Sequence, residues 1–329
     1  MTIKIGINGL GRIGRCVIRA LVETGRKDIE IVAINGPAPI ETHIHLLKYD
    51  SVHGPFRGEV KAAAGGIDMG RGVMRLTHER DASKLDWKNV DVVLECSGKF
   101  TKRADAAVHL AQGAKKVIVS APSADADATI IYGVNNAALK PEHTVISVGS
   151  CTTNCLAPVA QVLHQLVGIE AGFMTSIHSY TGDQNLVDSS HKDLRRARAA
   201  ATAIVPTSTG AARTIGLVLP ELKGKLDGVA LRVPTPNVSL IDLTLQSAKD
   251  TGVTELNDAM LKASKGALKG ILATSDEPLV SIDFNHRAES AIFDLSGTHV
   301  TGKRFCRVMA WYDNEWGFSC RMLDVVALL

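Results

Sequence analysis

The sequence predicts an α/β fold: a doubly wound parallel sheet, followed by an α+β domain built on a mainly antiparallel sheet. The chain has 329 residues, enough for about two domains at roughly 150 residues each. In the first half, short continuous apolar runs alternate with stretches of helical spacing, as a parallel sheet covered on both faces requires. In the second half the apolar runs are longer and partly alternating, which is typical of antiparallel strands with one covered face.

The first domain is predicted to span residues 1–150. Its first strand is followed by a helix over 12–24, in which Ile13, Val17 and Leu21 recur at helical spacing. Continuous apolar, β-branched runs predict its strands at 4–8, 29–35, 91–96, 116–120, 128–133 and 144–149.

The second domain is predicted to span residues 151–316 and to bind substrate. Helical spacing appears at 211–219 and 253–265, and a basic loop covers 184–203. Longer runs predict strands at 173–180, 226–233, 238–246, 279–284 and 307–312. The last residues, 317–329, are again apolar at helical spacing, so we expect a helix that belongs to the first domain.

Composition excludes several classes of protein. Hydrophobic residues make up 45% and charged residues 22% of the chain, which excludes intrinsic disorder. No apolar run approaches the roughly 18 residues of a membrane span, and the first residues resemble a strand rather than a signal peptide. A formal net charge of +3 is too small to indicate nucleic acid. We therefore expect a cytoplasmic protein with neither membrane nor nucleic acid as partner.

The six cysteines lack any Cys-x2-Cys pair. This spacing indicates neither a zinc site nor a disulfide framework, so no metal is expected and each cysteine should be a thiol. One of these thiols could be reactive.

A glycine-rich turn, Gly9-Leu10-Gly11-Arg12-Ile13-Gly14, lies between the first strand and the first helix. Glycines here allow a tight turn and a close approach of the backbone to a pyrophosphate at the helix N-terminus. The alternative is a turn used for packing alone. In this strand–turn–helix context the pattern predicts dinucleotide binding.

The second strand ends without the carboxylate that a dinucleotide fold usually places there for the ribose hydroxyls. The sequence at this point is Ile34-Asn35-Gly36-Pro37. We expect this departure to affect the choice of coenzyme.

Cys151 follows a strand and begins an apolar helical run, within SCTTNC at 150–155. A helix N-terminus favours the thiolate and is expected to lower the pKa of the thiol, which predicts a nucleophile. The alternative, a small buried hydrophobe, is the better interpretation of Cys155. His178 ends a strand and could activate a thiolate, although a lone strand histidine is more often structural.

Anion-binding groups appear further along the chain. Residues 208–212, STGAA, place hydroxyls and amides before a helix. Arg195, Arg196 and Arg232 could bind phosphate through two hydrogen bonds each. The alternative for the first two is a solvated basic loop, and a nucleic-acid interpretation of that loop lacks interleaved aromatic residues.

Taken in order, these motifs resemble those of phosphorylating glyceraldehyde-3-phosphate dehydrogenase along the whole chain. The matching segments are INGLGRIG (7–14), KYDS (48–51), SCTTNC (150–155), HSYTGD (178–183), STGAA (208–212), RVP (232–234) and WYDNEWG (311–317). The resemblance implies that Cys151 attacks the aldehyde of glyceraldehyde 3-phosphate and that His178 activates the thiolate and removes the hydroxyl proton. Hydride passes to the nicotinamide, and inorganic phosphate converts the resulting thioester to an acyl phosphate.

The resemblance also implies the binding residues. The substrate-phosphate site matches Thr181, Arg195 and Arg232, and the inorganic-phosphate site matches Ser150, Thr152, Thr209 and Gly210. The residues expected to bind the coenzyme include the glycines of the turn and the end of the second strand. They are Asn8, Gly9, Gly11, Arg12, Ile13, Gly14, Asn35, Gly36, Arg80, Ser97, Gly98, Ser120 and Asn314.

Members of this family are homotetramers in which residues 181–203 form an interface, so self-association is implied. Many members have tyrosine where this chain has Phe318, a change from which we expect little effect. Gly36 replaces the carboxylate of NAD-specific relatives, and Ser189-Ser190 replaces Leu-Pro, yet no arginine or lysine occurs between Gly36 and Lys48. We therefore expect an enzyme that uses NAD and discriminates weakly against NADP.

Two alternatives stay open. Erythrose-4-phosphate dehydrogenase shares the cysteine motif and the coenzyme fold, but it alters the segments that match Thr181-Gly182-Asp183 and 208–212 here. A non-catalytic dinucleotide-binding or regulatory protein would have no reason to keep Cys151, His178 and the phosphate-site arginines together.

Overall fold

The computed structural model describes residues 2–329, and their contacts form two compact units. The first unit runs to Ser150 and includes Ser319–Leu329, and the second is Cys151–Phe318.

A nine-stranded sheet forms the first unit, in the order β3-β4-β5-β2-β1-β6-β7-β9-β8. The strands are β1 (Ile3–Asn8), β2 (Ile29–Asn35), β3 (Lys61–Ala63), β4 (Gly66–Asp68), β5 (Val73–Thr77), β6 (Val92–Glu95), β7 (Lys116–Val119), β8 (Ala128–Thr129) and β9 (Val145–Ser147). The continuous apolar runs become parallel strands, as predicted, whereas β3, β4 and β5 pair antiparallel at one edge. These three short strands, which the sequence analysis missed, lack the long apolar runs of the parallel strands.

Strand β1 lies at the centre, with β2 paired on one side and β6 on the other, both parallel to it. The chain therefore runs from β1 to β2 on one side and later crosses from β5 to β6 on the other side of β1. Such a switch point opens a crevice at the carboxyl ends of the strands. The helices of this unit are α1 (Arg12–Glu23), α2 (Ile40–Lys48), α3 (Arg103–Ala106) and α4 (Val108–Ala111). Three-residue 3-10 turns occur at Ala82–Lys84 and Asn136–Ala138.

The second unit contains a seven-stranded sheet in the order β11-β12-β10-β13-β16-β15-β14. Its strands are β10 (Ile169–Ser179), β11 (Val205–Ser208), β12 (Leu226–Val233), β13 (Ser239–Ser247), β14 (Leu272–Ser275), β15 (Ala291–Thr301) and β16 (Phe305–Tyr312). Neighbouring strands are antiparallel except for β10–β12 and β14–β15. The prediction of a mainly antiparallel sheet is confirmed.

Helices cover one face of this sheet. They are α5 (Cys151–Val167), α6 (Ala211–Val218) and α7 (Val253–Lys265), with a 3-10 turn at Pro220–Leu222. Strand β13 shows the consequence, since Ile241, Leu243 and Leu245 are buried while the residues between them are partly exposed.

The C-terminal helix, α8, spans Trp316–Val326. No helix within residues 2–329 is long and apolar enough to cross a membrane.

One predicted strand is wrong. Residues 279–284 alternate in polarity, but Ser281–Phe284 form a 3-10 turn that buries Phe284 and leaves Ile282 exposed. The Asp283 carboxylate accepts a hydrogen bond from the backbone N–H of Val280 at 2.8 Å, which closes the turn. The sheet is completed instead by β11, β14 and β15, whose residues do not alternate clearly enough to be predicted.

Candidate active site

Cys151 is the first residue of α5, just after β9. Helix α5 packs on one face of the sheet and contacts β10. His178 is the second-last residue of that strand. The Cys151 Sγ and His178 Nε2 atoms are 3.4 Å apart. The structure therefore brings together the two residues that the sequence analysis assigns to catalysis, although 27 positions separate them.

Arg232 joins this pair through strand register, because His178 and Arg232 are direct neighbours in the parallel pairing of β10 and β12. The Arg232 Nη1 atom lies 2.6 Å from His178 Nδ1 and 3.0 Å from the carbonyl oxygen of Ser179. That carbonyl is also 2.7 Å from His178 Nδ1.

These two neighbours favour opposite tautomers of His178. A guanidinium only donates, so the Arg232 contact requires an unprotonated Nδ1 and leaves the proton on Nε2, which faces Cys151. The Ser179 carbonyl only accepts, so it favours the proton on Nδ1 and leaves Nε2 free to take a proton from the thiol. The position of Arg232 thus bears directly on whether His178 can act as a base.

Both members of the pair are neutral in this arrangement. Burial, with Arg232 beside the ring, lowers the pKa of His178 to about 3. Burial raises the pKa of the Cys151 thiol, and Arg232 and Thr152 offset part of that effect. The expected lowering of the cysteine pKa is therefore wrong for this state, because desolvation outweighs the stabilisation of the thiolate by its neighbours.

Tyr312 supports the pair and was missed by the sequence analysis, which quoted its motif without giving the tyrosine a role. Its buried hydroxyl is 2.8 Å from Thr152 Oγ1 and 3.0 Å from Ser176 Oγ. Its ring meets the His178 ring edge-on, with centroids 6.0 Å apart. The first turn of α5 and the catalytic imidazole are thus held by one aromatic side chain.

The residues predicted to bind phosphate lie in separate segments of the chain. Ser150, the last residue of the first unit's main segment, immediately precedes α5, and Thr152 is in the first turn of that helix. Thr209 and Gly210 immediately precede α6, and Thr209 Oγ1 accepts a hydrogen bond from the backbone N–H of Ala211 at 3.2 Å. Thr181 follows β10, and Arg195 is an exposed residue of the loop before β11. The neighbouring Arg196 pairs with Asp183 and donates to Thr207 Oγ1, so it stabilises the loop itself.

Asn314, predicted to bind the coenzyme, is buried and fixed in orientation. Its Oδ1 atom accepts hydrogen bonds from Ser179 Oγ and Ser239 Oγ, each at 2.9 Å. The side-chain NH₂ group is therefore left as the donor available to a ligand, such as an amide carbonyl.

In the first unit the glycine-rich turn is tightly packed on its protein side and open on the other. A Cβ on Gly9 would lie 2.5 Å from the backbone nitrogen of Ser97, and one on Gly14 would lie 2.1 Å from the Gly9 carbonyl oxygen. A Cβ on Gly11 would meet no atom within 4 Å. This is a cradle against which a pyrophosphate can rest, as dinucleotide binding requires.

A cavity of about 310 Å³ adjoins this turn. Predicted coenzyme residues contribute much of its wall: Asn8, Gly9, Gly11, Asn35, Arg80 and Ser97. Of the remaining predicted residues, Arg12, Ile13 and Gly14 form the first turn of α1, Gly36 follows β2, Gly98 lies after Ser97, and Ser120 follows β7. The cavity and the turn fit an adenine dinucleotide.

A buried carboxylate, Glu95, organises the ends of three strands and was missed by the sequence analysis. Glu95 accepts hydrogen bonds from Asn8 Nδ2 at 2.6 Å and from the backbone N–H of Ser97 at 2.7 Å. The Asn8 side chain accepts in turn from Asn35 Nδ2 at 2.8 Å. Three predicted coenzyme residues are thereby fixed by one acid.

The orientation of Glu95 is set by His109, a fully buried residue of α4. Trp87 Nε1 donates to His109 Nδ1 at 3.0 Å, so the ring proton lies on Nε2, which is 2.8 Å from Glu95. Tryptophan can only donate, which makes this tautomer unambiguous.

Arg12 is held beside the turn by Asp50, at 2.6 Å. Burial opposes ionisation of Asp50, but hydrogen bonds from the His53 and Val52 backbone and from Arg12 lower its pKa to about 2. The KYDS motif therefore serves to position a predicted coenzyme residue.

Comparison with known proteins gives consistent matches along the chain. The family model of the NAD binding domain of glyceraldehyde 3-phosphate dehydrogenase matches residues 3–103, and that of its C-terminal domain matches residues 150–314. Glyceraldehyde-3-phosphate dehydrogenase from Xanthobacter flavus is 57% identical, covering 100% of this chain and 99% of the relative. The enzymes from Cereibacter sphaeroides (100% of this chain, 99% of the relative) and Geobacillus stearothermophilus (100% and 98%) are 56% and 52% identical.

Proposed function

This chain belongs to the glyceraldehyde-3-phosphate dehydrogenase family, and we propose that it oxidises and phosphorylates D-glyceraldehyde 3-phosphate to 1,3-bisphosphoglycerate with NAD as hydride acceptor. The observation that carries the proposal is the 3.4 Å contact between Cys151 and His178 at the start of α5. The chain is an oxidoreductase with an NAD-binding domain.

Catalysis begins with attack of Cys151 Sγ on the aldehyde carbon. With the Ser179 carbonyl holding the proton on Nδ1, His178 Nε2 accepts the thiol proton as the C–S bond forms and passes it to the carbonyl oxygen, so the product is a neutral hemithioacetal with a free hydroxyl. His178 then removes the hydroxyl proton of the hemithioacetal while the hydrogen on carbon leaves with its electron pair. The result is a thioester on Cys151.

The nicotinamide of bound NAD supplies the acceptor for that hydride. Inorganic phosphate then attacks the thioester carbonyl, the C–S bond breaks, and the acyl phosphate leaves with Cys151 restored. We assign the substrate phosphate to Thr181, Arg195 and Arg232, and the attacking phosphate to Ser150, Thr152, Thr209 and Gly210. Two separate anion sites suit this reaction, since its two phosphates would repel one another in a shared site.

We assign coenzyme binding to the first unit, and we keep for Asn314 the role that the family resemblance implies, as a donor to the carboxamide. Asn8, Asn35 and Ser97 are fixed through Glu95, and Arg12 through Asp50. We expect NADP to be accepted as well, since Gly36 offers no negative charge against a 2′-phosphate.

We also propose a homotetramer. The loop at residues 181–203 exposes three large apolar side chains, with Leu186 80%, Val187 70% and Leu194 82% exposed. Such a cluster on a monomer marks a surface that another protein covers, and a second copy of this chain is the occupant that the family suggests. Light scattering after gel filtration should give four times the chain mass of 35.0 kDa.

All six cysteines are free thiols, which supports a reducing, cytoplasmic location.

Turnover with and without inorganic phosphate tests the proposed reaction. NAD reduction by glyceraldehyde 3-phosphate should require phosphate, or arsenate in its place, for sustained turnover. Erythrose 4-phosphate serves as the comparison substrate, and a higher kcat/KM for it would replace the proposed substrate with the tetrose. NAD reduction that is independent of phosphate would contradict a phosphorylating mechanism.

A further inference from the structure

Gly36 and His43 form a sterically coupled pair at the end of β2. A Cβ on Gly36 would lie 2.6 Å from His43 Cε1 and 2.7 Å from His43 Nε2. The imidazole therefore occupies the space into which a side chain at position 36 would extend. His43 belongs to α2, so this helix fills the place that a carboxylate at position 36 would otherwise take.

His43 is also a buried polar group whose ring nitrogens make no hydrogen bond of ordinary geometry. Its side chain is part of the wall of the cavity beside the glycine-rich turn, although the residue is only 4% exposed. Among the described residues lining that cavity, His43 alone carries buried side-chain nitrogens that lack a hydrogen-bond partner, and both ring nitrogens do so. Leaving a buried donor and acceptor unpaired is costly, so such a group calls for an explanation, and a ligand that pairs with it is one.

The ring is suited to a hydroxyl group. Burial lowers the pKa of His43, the nearby backbone carbonyl groups of Gly36 and Ala38 offset part of that effect, and His78 and Arg15 lower the pKa further. The imidazole is therefore neutral near pH 7 and offers one donor and one acceptor, which is also what a hydroxyl offers. His78 is already occupied, since its Nδ1 atom is 2.8 Å from the Ala38 carbonyl oxygen.

In a dinucleotide fold the adenosine ribose lies at the end of the second strand, where a carboxylate usually binds its 2′-hydroxyl. We propose that His43 recognises the adenosine 2′-hydroxyl in this chain, in place of that carboxylate. The inference rests on the proposed use of NAD. A neutral ring pairs with the hydroxyl but does not repel a 2′-phosphate, and the charged residues on the same wall, Glu79, Arg80 and Lys99, include both signs.

The first test replaces the nitrogens and keeps the ring volume. In His43→Phe, calorimetric titration of the coenzyme-free protein should give a Kd for NAD about 10-fold higher than in the wild type. This is the usual effect on binding of losing one buried hydrogen bond. The Kd for NADP should not fall, since its 2′-phosphate can also accept a hydrogen bond from the ring N–H. His45→Phe, an exposed position on the same helix, is the matched control and should change neither.

The second test removes the hydroxyl from the ligand. An NAD analogue with 2′-deoxyadenosine should bind the wild type about 10-fold more weakly than NAD does, whereas His43→Phe should bind the two equally. Equal NAD affinity in His43→Phe and the wild type would overturn the role of His43. So would a His43→Phe protein that binds the deoxy analogue about 10-fold more weakly than NAD, because the hydroxyl would then be recognised by another group. Wild-type protein that binds neither coenzyme would instead contradict the proposed function.

The steric part has its own test. Gly36→Asp alone should lower the melting temperature and weaken NAD binding, because the new Cβ collides with His43. Adding His43→Ala should restore the melting temperature and raise the NAD-to-NADP preference at least about 10-fold above wild type, through like-charge repulsion of the 2′-phosphate. An unchanged melting temperature in Gly36→Asp would show that the two positions are not coupled. If His43→Phe folds poorly, His43→Asn keeps a donor and an acceptor and should retain NAD affinity.

Discussion

Arg232 Nη1 lies 2.6 Å from Nδ1 of His178, across a parallel strand pair that places the two residues side by side. The contact holds a permanent cation against the imidazole and favours the tautomer in which Nε2 is protonated. A substrate phosphate that attracts Arg232 would release Nδ1 to the Ser179 carbonyl and convert Nε2 into the acceptor that the mechanism needs. Binding of the phosphate and activation of the base would then be coupled.

Replacing Arg232 with glutamine should affect both functions. The pKa of His178 should rise because Arg232 lowers it in the wild type, and kcat/KM should fall about 10²-fold with the loss of a charge-assisted contact to phosphate. NMR titration of the imidazole and steady-state kinetics measure the two effects. Arg198→Gln, a loop position that pairs with Asp188, is the comparison that should leave the pKa of His178 nearly unchanged. An unshifted pKa in Arg232→Gln would show that the contact is unimportant in solution.

Cys151→Ser and His178→Asn should separate the nucleophile from the base. The serine variant should fold and bind NAD yet lose turnover, since a hydroxyl is far less ionised than a thiol. The asparagine variant should lose about 10²–10⁴-fold in kcat, the usual contribution of a positioned acid–base group. Iodoacetate labelling followed by peptide mapping provides an independent check. It should modify Cys151 before the other thiols, whereas modification without preference among the six would contradict an accessible nucleophile.

The titration of His178 predicts how stability changes with pH. Its pKa is lowered to about 3 from the ordinary 6.5, so the unfolded chain binds a proton here at mildly acidic pH while the folded protein does not. The contribution to stability is therefore complete above pH 6.5 and is lost as the pH falls toward 3. Between pH 7 and 5 the wild type should lose about 2 kcal/mol more unfolding free energy than His178→Asn. Urea titrations at each pH measure the difference, and parallel curves for the two proteins would contradict the lowered pKa.

Two glycines of the same turn should respond differently to alanine. Gly14→Ala places a methyl group 2.1 Å from a backbone oxygen, so the melting temperature should fall sharply. Gly11→Ala meets no protein atom within 4 Å, so stability should change little while the Kd for NAD rises at least about 10-fold through contact with the pyrophosphate. Thermal unfolding and calorimetric titration distinguish the two. A Gly11→Ala protein with wild-type NAD affinity would place the pyrophosphate elsewhere.

The fold class, the first strand–turn–helix unit and the family can all be predicted from the order of residues along the chain. These features are local: the turn needs glycine, α5 needs an apolar run after Cys151, and the bounds of β12 and α7 agree with the predicted ranges 226–233 and 253–265. The strand predicted at 279–284 is wrong because the alternation in polarity there comes from two exposed residues, Val280 and Ile282, and from a capped turn rather than from a sheet. Period-two alternation alone does not distinguish these cases.

Tertiary structure alone decided the contacts between distant positions. Strand register places Arg232 beside His178, and burial then reverses the direction in which the pKa of Cys151 was expected to move. The packing of α2 against the end of β2 turns the missing carboxylate at Gly36 into a space filled by His43. Charge, exposure and orientation depend on what surrounds a group in three dimensions, so the order of residues along the chain cannot supply them.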